Sequence, residues 1–527
     1  MLGEVKTVLI VGGGSAGWIT AALLVKMCPH LRVSLIEDSD TPTIGVGEST
    51  LGSFNHLMEV LELEDEYWMP KADATYKTSI DFTDWDGANS RISYPFGGAS
   101  YLGGKYSWID WFRVSNQFTQ RKDSYPTFSL DSYNMIRSNK LCKSSPCMPN
   151  WNFKYDTAYH IDAGMFADFL KRDFCIPKGL IHLVDKVTGV EVSSEGEVSG
   201  VHTAGGDTHT ADLYVDCTGF KSLLLGQAMG EPIESYGDTL INNKAIALRV
   251  PYTDKDSEME HSTNATALDN GWVWNTPLWS RKGTGYVYSD MFTTPEEAEV
   301  EFLEHLRSTG VSDEFLKEAA CHHVDISTGF RNNAWVENVV GIGLSHGFIE
   351  PLESSGLMLI YENALDMIDV LQSRGFHNIP KIDKSMMNNK AKKFSEYFTG
   401  FVASHYAMAP RRSSSYWKYI ASIDYNNVYF REDVATVVAD KEFSHIDNYM
   451  GLPYILFGMG KNPITPKYLN RVYGGGSVHP QEVEVCSKIL KEVDARNEHQ
   501  KKYIRDMPTH YKYLRDNIYL NYKREIS

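Results

Sequence analysis

The beginning of the chain places two strand-like apolar runs around one helical pattern. Thr7–Val11 is a short run of apolar and β-branched residues, and Arg32–Ile36 is a second run of the same kind. Between them, Ile19–Met27 is apolar over a length that suits a helix. Short apolar runs bounded by turn signals are typical of buried strands, whereas longer ones favour helices. The order strand, helix, strand predicts a βαβ unit with parallel strands.

A glycine-rich turn joins the first predicted strand to the helix. Gly12, Gly14 and Gly17 form a Gly-x-Gly-x-x-Gly sequence. In such a sequence the first glycine allows a tight turn, the second lets the backbone approach a pyrophosphate, and the third lets helix and strand pack closely. The second strand ends at Glu37, about twenty residues further on, where a carboxylate can hold ribose hydroxyls. The complete pattern predicts a dinucleotide site with its pyrophosphate at the helix N-terminus.

The next part of the chain predicts one more strand and then an insertion. Residues 74–82 alternate, with Tyr76, Ile80 and Phe82 on one face and Lys77 on the other, which is strand periodicity. Residues 84–150 are rich in Gly, Ser, Tyr, Trp and Asn. That composition predicts long loops with short helices around a substrate site. A helical pattern over residues 160–172 follows.

Strand-like runs return in the middle of the chain. They cover residues 181–203, with a hairpin turn at 194–196, and also residues 212–220, 240–295 and 338–347. This return of β-structure predicts a dinucleotide-binding sheet that is interrupted by the insertion and then resumed. A helix from Leu357 to about Ser373 comes next, closed by Gly375, and residues 380–527 are mostly helical.

We divide the chain by predicted role into four ranges of one multi-lobed body. They are a cofactor-binding part at 1–83, a loop-rich insertion near the substrate at 84–150, the resumed cofactor-binding sheet at 151–375, and a mainly helical substrate-binding lobe at 376–527.

Charge and cysteine usage narrow the function classes. The net charge is −17 with no polybasic run, which argues against nucleic acid or an anionic membrane surface as a partner. No apolar run reaches the length of a membrane span, and the first strand begins too early to leave room for a signal peptide. The 7 cysteines include no Cys-x-x-Cys pair. Reduced thiols, a cytoplasmic location and no metal centre are therefore expected.

The start of the helix near Ser354–Leu357 has two interpretations. Free backbone N–H groups at a helix N-terminus attract anions, so an anionic flavin or a small anion could bind there. Alternatively, Ser354 or Ser355 simply caps an ordinary helix. Spacing alone favours the cap.

Several stretches, taken in order, resemble flavin-dependent halogenases of the tryptophan halogenase family. They are Val11–Trp18, Ile44–Ser49, Tyr76–Lys77, His160–Ala163, the Trp-x-Trp-x-x-Pro stretch Trp272–Pro277, and Glu350–Gly356. The tryptophan pair is specific, because it separates these halogenases from ordinary flavin monooxygenases. The resemblance runs from residue 2 to about residue 475. It implies an α/β fold of the FAD-binding, Rossmann-like type found in flavin monooxygenases, with an interrupted sheet and a mainly helical substrate lobe.

The resemblance also implies an activity and its partners. Reduced FAD would come from a separate NAD(P)H-dependent flavin reductase, and with O₂ it would oxidise chloride, bromide or iodide to hypohalous acid. This acid would reach Lys77 beside a small aromatic substrate, and Glu353 would take the proton from the ring. Ser355 and Gly356 would line the halide site. The formation of a homo-oligomer is left open by the resemblance.

By the same resemblance, a longer set of residues would bind the cofactor. The set is Gly12, Gly14, Ser15, Ala16, Gly17, Glu37, Asp38, Ile44, Val46, Glu48, Ser49, Val187, Leu344 and Leu357. The loop of Glu48 would form a strap over the flavin. Trp272 and Trp274, followed by Pro277, would block direct oxygen transfer to substrate. The sequence departs mildly from the family pattern, which usually has Ile at Thr276 and Thr at Ser355.

Simpler interpretations exist for the same residues. By type and spacing alone, Lys77 fits a solvated strand lysine, Glu353 fits an acid at a helix N-terminus, and the Trp272–Trp274 pair fits the core of a sheet. A lysine in a desolvated pocket would instead be a credible halogen carrier, because burial lowers its pKa.

The prediction of the substrate depends on residues in the C-terminal half of the chain. His405–Tyr406 and Ser415–Trp417 match the family's surrounding pattern, but Asn448–Tyr454 departs from the segment that contacts tryptophan. An indole- or phenol-like substrate is therefore expected rather than free tryptophan. Two alternatives stay open: an aromatic hydroxylase that transfers oxygen without using Lys77, and a non-catalytic flavin-binding protein.

Overall fold

The computed structural model of the chain describes residues 2–39, 47–87, 90–97, 108–118, 120, 124–425, 451–460, 480–520 and 522. Two predicted cofactor residues, Ile44 and Val46, lie outside the described residues, as does the first part of the Asn448–Tyr454 segment.

The strands are short in the nucleotide-binding part and longer in the middle of the chain. In chain order they are β1 (Thr7–Val11), β2 (Arg32–Glu37), β3 (Glu48–Ser49), β4 (Thr75–Lys77), β5 (Ser79–Thr83), β6 (Arg91–Pro95), β7 (Ala158–Ile161), β8 (Ile181–Val184), β9 (Val187–Val192), β10 (Val198–Thr203), β11 (Thr208–His209), β12 (Leu213–Asp216), β13 (Ile233–Ser235), β14 (Lys244–Pro251), β15 (Ser262–Ala267), β16 (Gly271–Pro277), β17 (Arg281–Tyr288), β18 (His322–Asp325), β19 (Gly329–Arg331), β20 (Trp335–Val336), β21 (Val339–Gly341) and β22 (Gly347–Phe348).

The longest helices follow the last strand. The α-helices are α1 (Ser15–Met27), α2 (Phe54–Leu61), α3 (Asp65–Trp68), α4 (Trp108–Gln117), α5 (Tyr125–Ser129), α6 (Tyr133–Arg137), α7 (Ala163–Phe169), α8 (Lys255–Glu258), α9 (Pro295–Ser308), α10 (Asp313–Glu318), α11 (Gly356–Ser373), α12 (Lys381–Met408), α13 (Ser415–Ile420), α14 (Leu452–Gly458), α15 (Pro480–Asp506) and α16 (His510–Leu514). Short 3₁₀ or π turns lie at Met69–Ala72, Leu170–Cys175, Ile176–Lys178, Gly219–Lys221, Leu223–Ala228, Gly343–Ser345, Pro351–Glu353 and Arg515–Tyr519.

The chain divides into two units, each made of three segments. The first unit contains Met1–Ala74, Tyr159–Ala245 and His323–Thr399, and the second contains Thr75–Ala158, Ile246–His322 and Gly400–Ser527. The four ranges drawn from the sequence divide the chain by role, whereas these units divide it by packing. The four ranges therefore stay a prediction.

The first unit is built on the predicted parallel sheet. Its strand order is β20-β21-β12-β1-β2-β8, and β1 pairs in parallel with both β12 and β2. The apolar side chains of Leu9, Val11, Ile36 and Tyr214 pack into its core. Strands from three separate parts of the chain share this sheet, so the predicted α/β class and the interrupted Rossmann-like sheet are confirmed.

One sequence-based prediction in this unit is wrong in part. Residues 160 and 161 belong to β7, which pairs antiparallel with β3, and not to a helix. The helix begins only at Ala163, because the side chain of Asp162 caps it by accepting a hydrogen bond from the backbone N–H of Met165. The cap separates strand from helix within a stretch that has one continuous apolar pattern.

The second unit contains neighbouring strands in the order β14-β17-β16-β15-β5-β6. Its core includes Ile246, Val273, Tyr286 and Phe302. The single strand predicted over residues 74–82 is instead two strands, β4 and β5, with a break at Thr78. The insertion predicted as loops and short helices also contains a strand, β6, because it pairs antiparallel with β5. Helices α12 to α16 agree with the helical C-terminal prediction in the part that the structure describes.

Two features are absent from the described residues. No helix in them combines the length and the apolar character needed to cross a bilayer. In the same residues, no group of three or more His, Cys, Asp or Glu side chains is arranged to hold a metal ion.

Candidate active site

The glycine-rich turn of the first unit has one position, Gly14, beside which the described residues leave space. A Cβ at Gly12, where φ is +111°, would lie 2.3 Å from the carbonyl oxygen of Cys217, and one at Gly17 would lie 1.9 Å from the carbonyl oxygen of Gly12. Both positions therefore require glycine. A Cβ at Gly14 would meet no heavy atom of the described residues within 4 Å. This open backbone at a helix N-terminus fits the pyrophosphate of FAD.

A second turn packs against this glycine turn. Ser15 and Ala16 are the first residues of α1. A Cβ at Gly343 would lie only 2.8 Å from the Cβ of Ala16. The 3₁₀ turn Gly343–Ser345 therefore packs directly against the start of α1. Leu344, in this turn, is 40% exposed. An exposed leucine beside the glycine turn fits a wall for a bound dinucleotide.

The carboxylate at the end of β2 already has partners within the first unit. Glu37 Oε1 lies 2.6 Å from Lys171 Nζ and 2.8 Å from His182 Nε2. Neither partner was predicted from the sequence. Asp38 directly follows Glu37, and Val187 is the first residue of β9.

Glu48 and Ser49 form β3, opposite Ile161 and His160 of β7. Burial raises the pKa of Glu48 to about 7, and the negative charge of Asp162 contributes to the same shift. The carboxyl group of Glu48, at the described end of the predicted strap, is therefore partly protonated near neutral pH.

The turn before α11 is buried and tightly bent. Glu353 is 1% exposed, and Ser354 adopts φ +57°, a left-handed conformation that costs free energy for a residue other than glycine. Asn242 Nδ2 donates a hydrogen bond to Glu350 Oε2 at 2.9 Å and so helps to fix the turn. Strained turns that the surrounding structure holds in place are frequent at functional sites.

The cap interpretation of Ser355 is confirmed in position but wrong in its hydrogen bond. Ser355 occupies the N-cap position of α11, but its side chain makes no capping hydrogen bond. Its hydroxyl oxygen is buried, with no hydrogen-bond partner in the part of the chain that the structure describes. A Cβ at Gly356 would meet no heavy atom of that part within 4 Å, whereas Leu357 is buried. A buried hydroxyl at a helix N-terminus, beside a glycine with no close neighbour among the described residues, fits a small anion.

Lys77 lies in the second unit, as the last residue of β4, and its side chain is fully buried. The solvated-lysine interpretation is therefore wrong. Lys77 Nζ lies 5.1 Å from the centroid of the Phe96 ring, close enough for a cation–π interaction. A lysine inside the protein can carry a reactive group away from bulk water.

Thr78, the residue after Lys77, is fixed by hydrogen bonds on three sides. Its backbone N–H donates to the carbonyl oxygen of His261 at 2.7 Å, and its own carbonyl oxygen accepts from the N–H of Phe96 at 2.7 Å. Thr78 Oγ1 also lies 2.5 Å from His261 Nδ1. Burial lowers the pKa of His261 to about 4, so the imidazole is neutral at pH 7.

The tryptophan pair lies on β16 in the same unit. Trp272 is buried and Trp274 is half-buried. Gly285 lies opposite Trp274 on β17, and a Cβ there would lie 2.0 Å from Trp274 Cη2. The carbonyl oxygen of Pro277, at the end of the motif, accepts a hydrogen bond from Thr75 Oγ1 at 2.6 Å. Thr75 belongs to β4, so this bond joins the tryptophan motif to the strand of Lys77.

Each unit of the structure thus contains a part of the predicted set of site residues. The first unit contains the glycine turn, β3 and the start of α11, and the second contains Lys77 and the tryptophan pair. Sequence reasoning missed Phe96, His261, Lys171 and His182. A polar His182 inside the strand-like run Ile181–Val184 was the one visible signal among them.

Comparison with known proteins gives consistent matches along the chain. The sequence pattern of the family "Tryptophan halogenase" matches residues 7–467. Tryptophan 6-halogenase SttH of Streptomyces toxytricini is 33% identical over 429 residues, which cover 78% of this chain and 80% of SttH. Tryptophan 7-halogenase RebH of Lentzea aerocolonigenes is 30% identical over 441 residues, which cover 79% of each protein.

A solved structure extends the match to nearly the whole fold. The apo structure of VirX1 is 37% identical in sequence and superposes with a TM-score of 0.89, covering 98% of this chain and 99% of that chain. The predicted resemblance is therefore confirmed by sequence and by fold. The chain belongs to the tryptophan halogenase family and is a flavin-dependent halogenase.

Proposed function

We propose that the protein oxidises halide with reduced FAD and O₂ to hypohalous acid, and that Lys77 delivers the halogen to an indole- or phenol-like substrate. The family membership supports flavin-dependent halogenation. The observation that carries the role of Lys77 is its complete burial beside the Phe96 ring. A free hypohalous acid would halogenate indiscriminately in water, so a halogenase needs a carrier that is shielded from solvent.

When bound, reduced FAD supplies, with O₂, the oxidising equivalents that convert halide to hypohalous acid. The residues of the glycine turn and Glu37 would hold the dinucleotide part of FAD, with the strap of Glu48 and Ser49 beside it. Ser355 and Gly356 would hold the halide, because a buried hydroxyl at the N-terminus of α11 is suited to bind an anion. A separate flavin reductase would supply the reduced cofactor.

The proposed chemistry at the substrate is electrophilic aromatic substitution. Lys77 hydrogen-bonds the hypohalous acid or forms a haloamine, and the halogen then bonds to a ring carbon. In both cases the hydroxyl part of the acid takes a proton from Lys77 Nζ and leaves as water, while Glu353 accepts the proton that leaves the ring carbon. One proton then returns to Nζ, so the net change converts hypohalous acid and arene to halogenated arene and water. The burial of Glu353 supports this role, since a buried carboxyl group is shielded from bulk water.

The substrate class rests on the C-terminal half of the chain. SttH and RebH are named for tryptophan, but the Asn448–Tyr454 segment departs from the family's tryptophan-contacting pattern. We therefore propose a free indole or phenol, or a larger aromatic compound that contains one. This choice distinguishes the protein from SttH and RebH, which are named for tryptophan.

One assay tests both the activity and the substrate. The protein is incubated with FAD, a flavin reductase, NADH, O₂ and chloride, bromide or iodide in turn, and products from indoles, phenols and free tryptophan are measured by mass spectrometry. We expect halogenated indole or phenol and no halogenated tryptophan. Efficient turnover of free tryptophan would contradict the substrate, and hydroxylated product without added halide would favour a monooxygenase.

Variants at Lys77 test the route. With Lys77→Met, halogenated product should fall at least about a hundredfold while FAD binding stays unchanged, because removal of one essential acting group typically costs a factor of this order. Lys317 of α10 is an exposed lysine of the same unit, so Lys317→Met is the control and should keep wild-type product formation. Full activity of Lys77→Met would make the assigned route wrong.

A further inference from the structure

The carboxylate of Glu37 is held by two donors in the first unit. Lys171 Nζ and His182 Nε2 lie 2.6 Å and 2.8 Å from the same oxygen, Oε1. The side chains of Glu37, Lys171 and His182 are 18%, 25% and 16% exposed, so water competes only weakly for these bonds. Charge-assisted hydrogen bonds of this kind are stronger than bonds between neutral groups.

Both donors are themselves fixed in position. The ring centroids of His182 and Trp18 lie 5.5 Å apart, and Lys171 Nζ lies 5.6 Å from the centroid of the Trp18 ring. Trp18 is buried in α1, directly after the glycine turn. His182 lies on β8, opposite Leu35 of β2, so the pairing of these strands sets its place beside Glu37.

The other carboxylate oxygen lies over the glycine turn. A Cβ at Gly13 would lie 1.7 Å from Glu37 Oε2 and 2.6 Å from Glu37 Cβ, so glycine at this variable position of the fingerprint leaves the carboxylate its place. The carboxylate is thus directed toward the cofactor's predicted location by its two partners. A carboxylate has about four acceptor positions, so two hydrogen bonds from protein leave capacity for two more.

We propose that Lys171 and His182 are positioning residues that hold Glu37 as the acceptor for the ribose hydroxyls of the FAD adenosine. The proposal rests on the proposed binding of FAD but not on halogenation. A carboxylate at the end of a strand would otherwise rotate among several rotamers and lose that freedom when it binds a ligand. With Oε1 already held, Glu37 is preorganised, and its selectivity for a ribose with both hydroxyls depends on Lys171 and His182.

The experiment compares FAD with an analogue that lacks the 2′-hydroxyl of the adenosine ribose. Dissociation constants for both are measured by quenching of flavin fluorescence in the full-length protein. Wild type should bind FAD at least about tenfold more tightly than the analogue, since a hydrogen bond to a charged acceptor contributes a factor of this order. The double variant Lys171→Met/His182→Phe should bring this ratio close to one.

Matched variants separate positioning from a general effect on the fold. Lys26 is also 25% exposed and lies 2.6 Å from a glutamate, Glu62, so Lys26→Met is the control and should keep the wild-type ratio. Lys171→Arg and His182→Gln keep a donor and should retain most of the ratio. A double variant that keeps the wild-type ratio, or weakens both ligands equally, would overturn the proposal. Absence of FAD binding in wild type would overturn both this proposal and the proposed function.

Discussion

The ammonium nitrogen of Lys77 lies over the ring of Phe96, 5.1 Å from the ring centroid, and the backbone of Phe96 is bonded to the residue that follows Lys77. Phe96 N–H donates to the carbonyl oxygen of Thr78, so the ring and the lysine lie on two backbone segments that are joined by a hydrogen bond. A cation–π interaction contributes from roughly 0.5 kcal/mol at an exposed site to about 2 kcal/mol when it is desolvated. Phe96 therefore orients the amine that we propose as the halogen carrier.

Replacing Phe96 with Leu should reduce halogenation without reducing the oxidation of halide. The lysine would lose the face of the ring, and a loss of up to about 2 kcal/mol corresponds to a decrease in product formation of up to about thirtyfold. Hypohalous acid that escapes from the protein, measured with a soluble trapping reagent, should rise by a comparable amount. Phe96→Tyr keeps the aromatic face and should keep most of the coupling. Equal losses in Phe96→Leu and Phe96→Tyr would contradict an aromatic contribution.

Thr78→Val should destabilise the second unit and lower product formation. The change removes the hydroxyl that meets His261 Nδ1 and leaves a buried imidazole nitrogen without this partner. Such a loss costs about 1–3 kcal/mol. The free energy of unfolding, measured in urea, gives the first effect, and kcat at saturating substrate gives the second. Thr78→Ser keeps the hydroxyl and is the matched control, so identical unfolding of the Val and Ser variants would refute the role of this hydrogen bond.

Local patterns predicted the βαβ unit, because its signals lie within a few residues of one another. The glycine spacing at Gly12 and Gly17 predicts close backbone packing, and in the structure the carbonyl oxygens of Cys217 and Gly12 occupy the space that a side chain would need. Helix α11 was likewise predicted almost to its ends. In each case steric limits on the backbone decide the conformation, so the sequence alone is enough to predict it.

Long-range partners account for what the sequence could not predict. The strand break at Thr78 depends on His261, a residue 183 positions away, and the pairing of Glu37 with Lys171 joins residues 134 positions apart. Residues 160 and 161 form a strand because β3 is available to pair with them. Such tertiary pairing overrides local periodicity. The candidate site was therefore predicted from the resemblance to a family, whereas the residues that support it were not predicted.

Gly285→Ala should disturb the tryptophan motif. The added Cβ would lie 2.0 Å from Trp274 Cη2 and 2.3 Å from the carbonyl oxygen of Ile246, so the ring must move or the sheet must shift. Overpacking of this kind typically costs about 1–3 kcal/mol of unfolding free energy. Gly3→Ala adds a Cβ where no heavy atom of the described residues lies within 4 Å and is the control. The double variant Gly285→Ala/Trp274→Leu should recover part of the loss, whereas strictly additive losses would show that Trp274 is not the obstacle.

Glu48 should make stability depend on pH between its ordinary pKa of 4.5 and its pKa of about 7 in the folded protein. Burial favours the protonated form of this carboxyl group, and the nearby charge of Asp162 favours it further. A group whose pKa is raised on folding stabilises the protein fully below 4.5, and this stabilisation is lost as the pH rises through about 7. Since part of the Glu48 surface still meets solvent, the loss should be on the order of 1 kcal/mol.

Glu48→Gln should remove this dependence, because the amide does not titrate and resembles the protonated acid in shape. Urea unfolding of wild type and variant at several pH values from about 4.5 to about 8 gives the comparison. The two unfolding free energies should be closest at the lowest pH, and the variant should become the more stable protein as the pH rises. The sign is decisive: a wild type that gains stability relative to the variant as the pH rises over this range would contradict a raised pKa of Glu48. Parallel curves would mean that the carboxyl group of Glu48 titrates as it does in water.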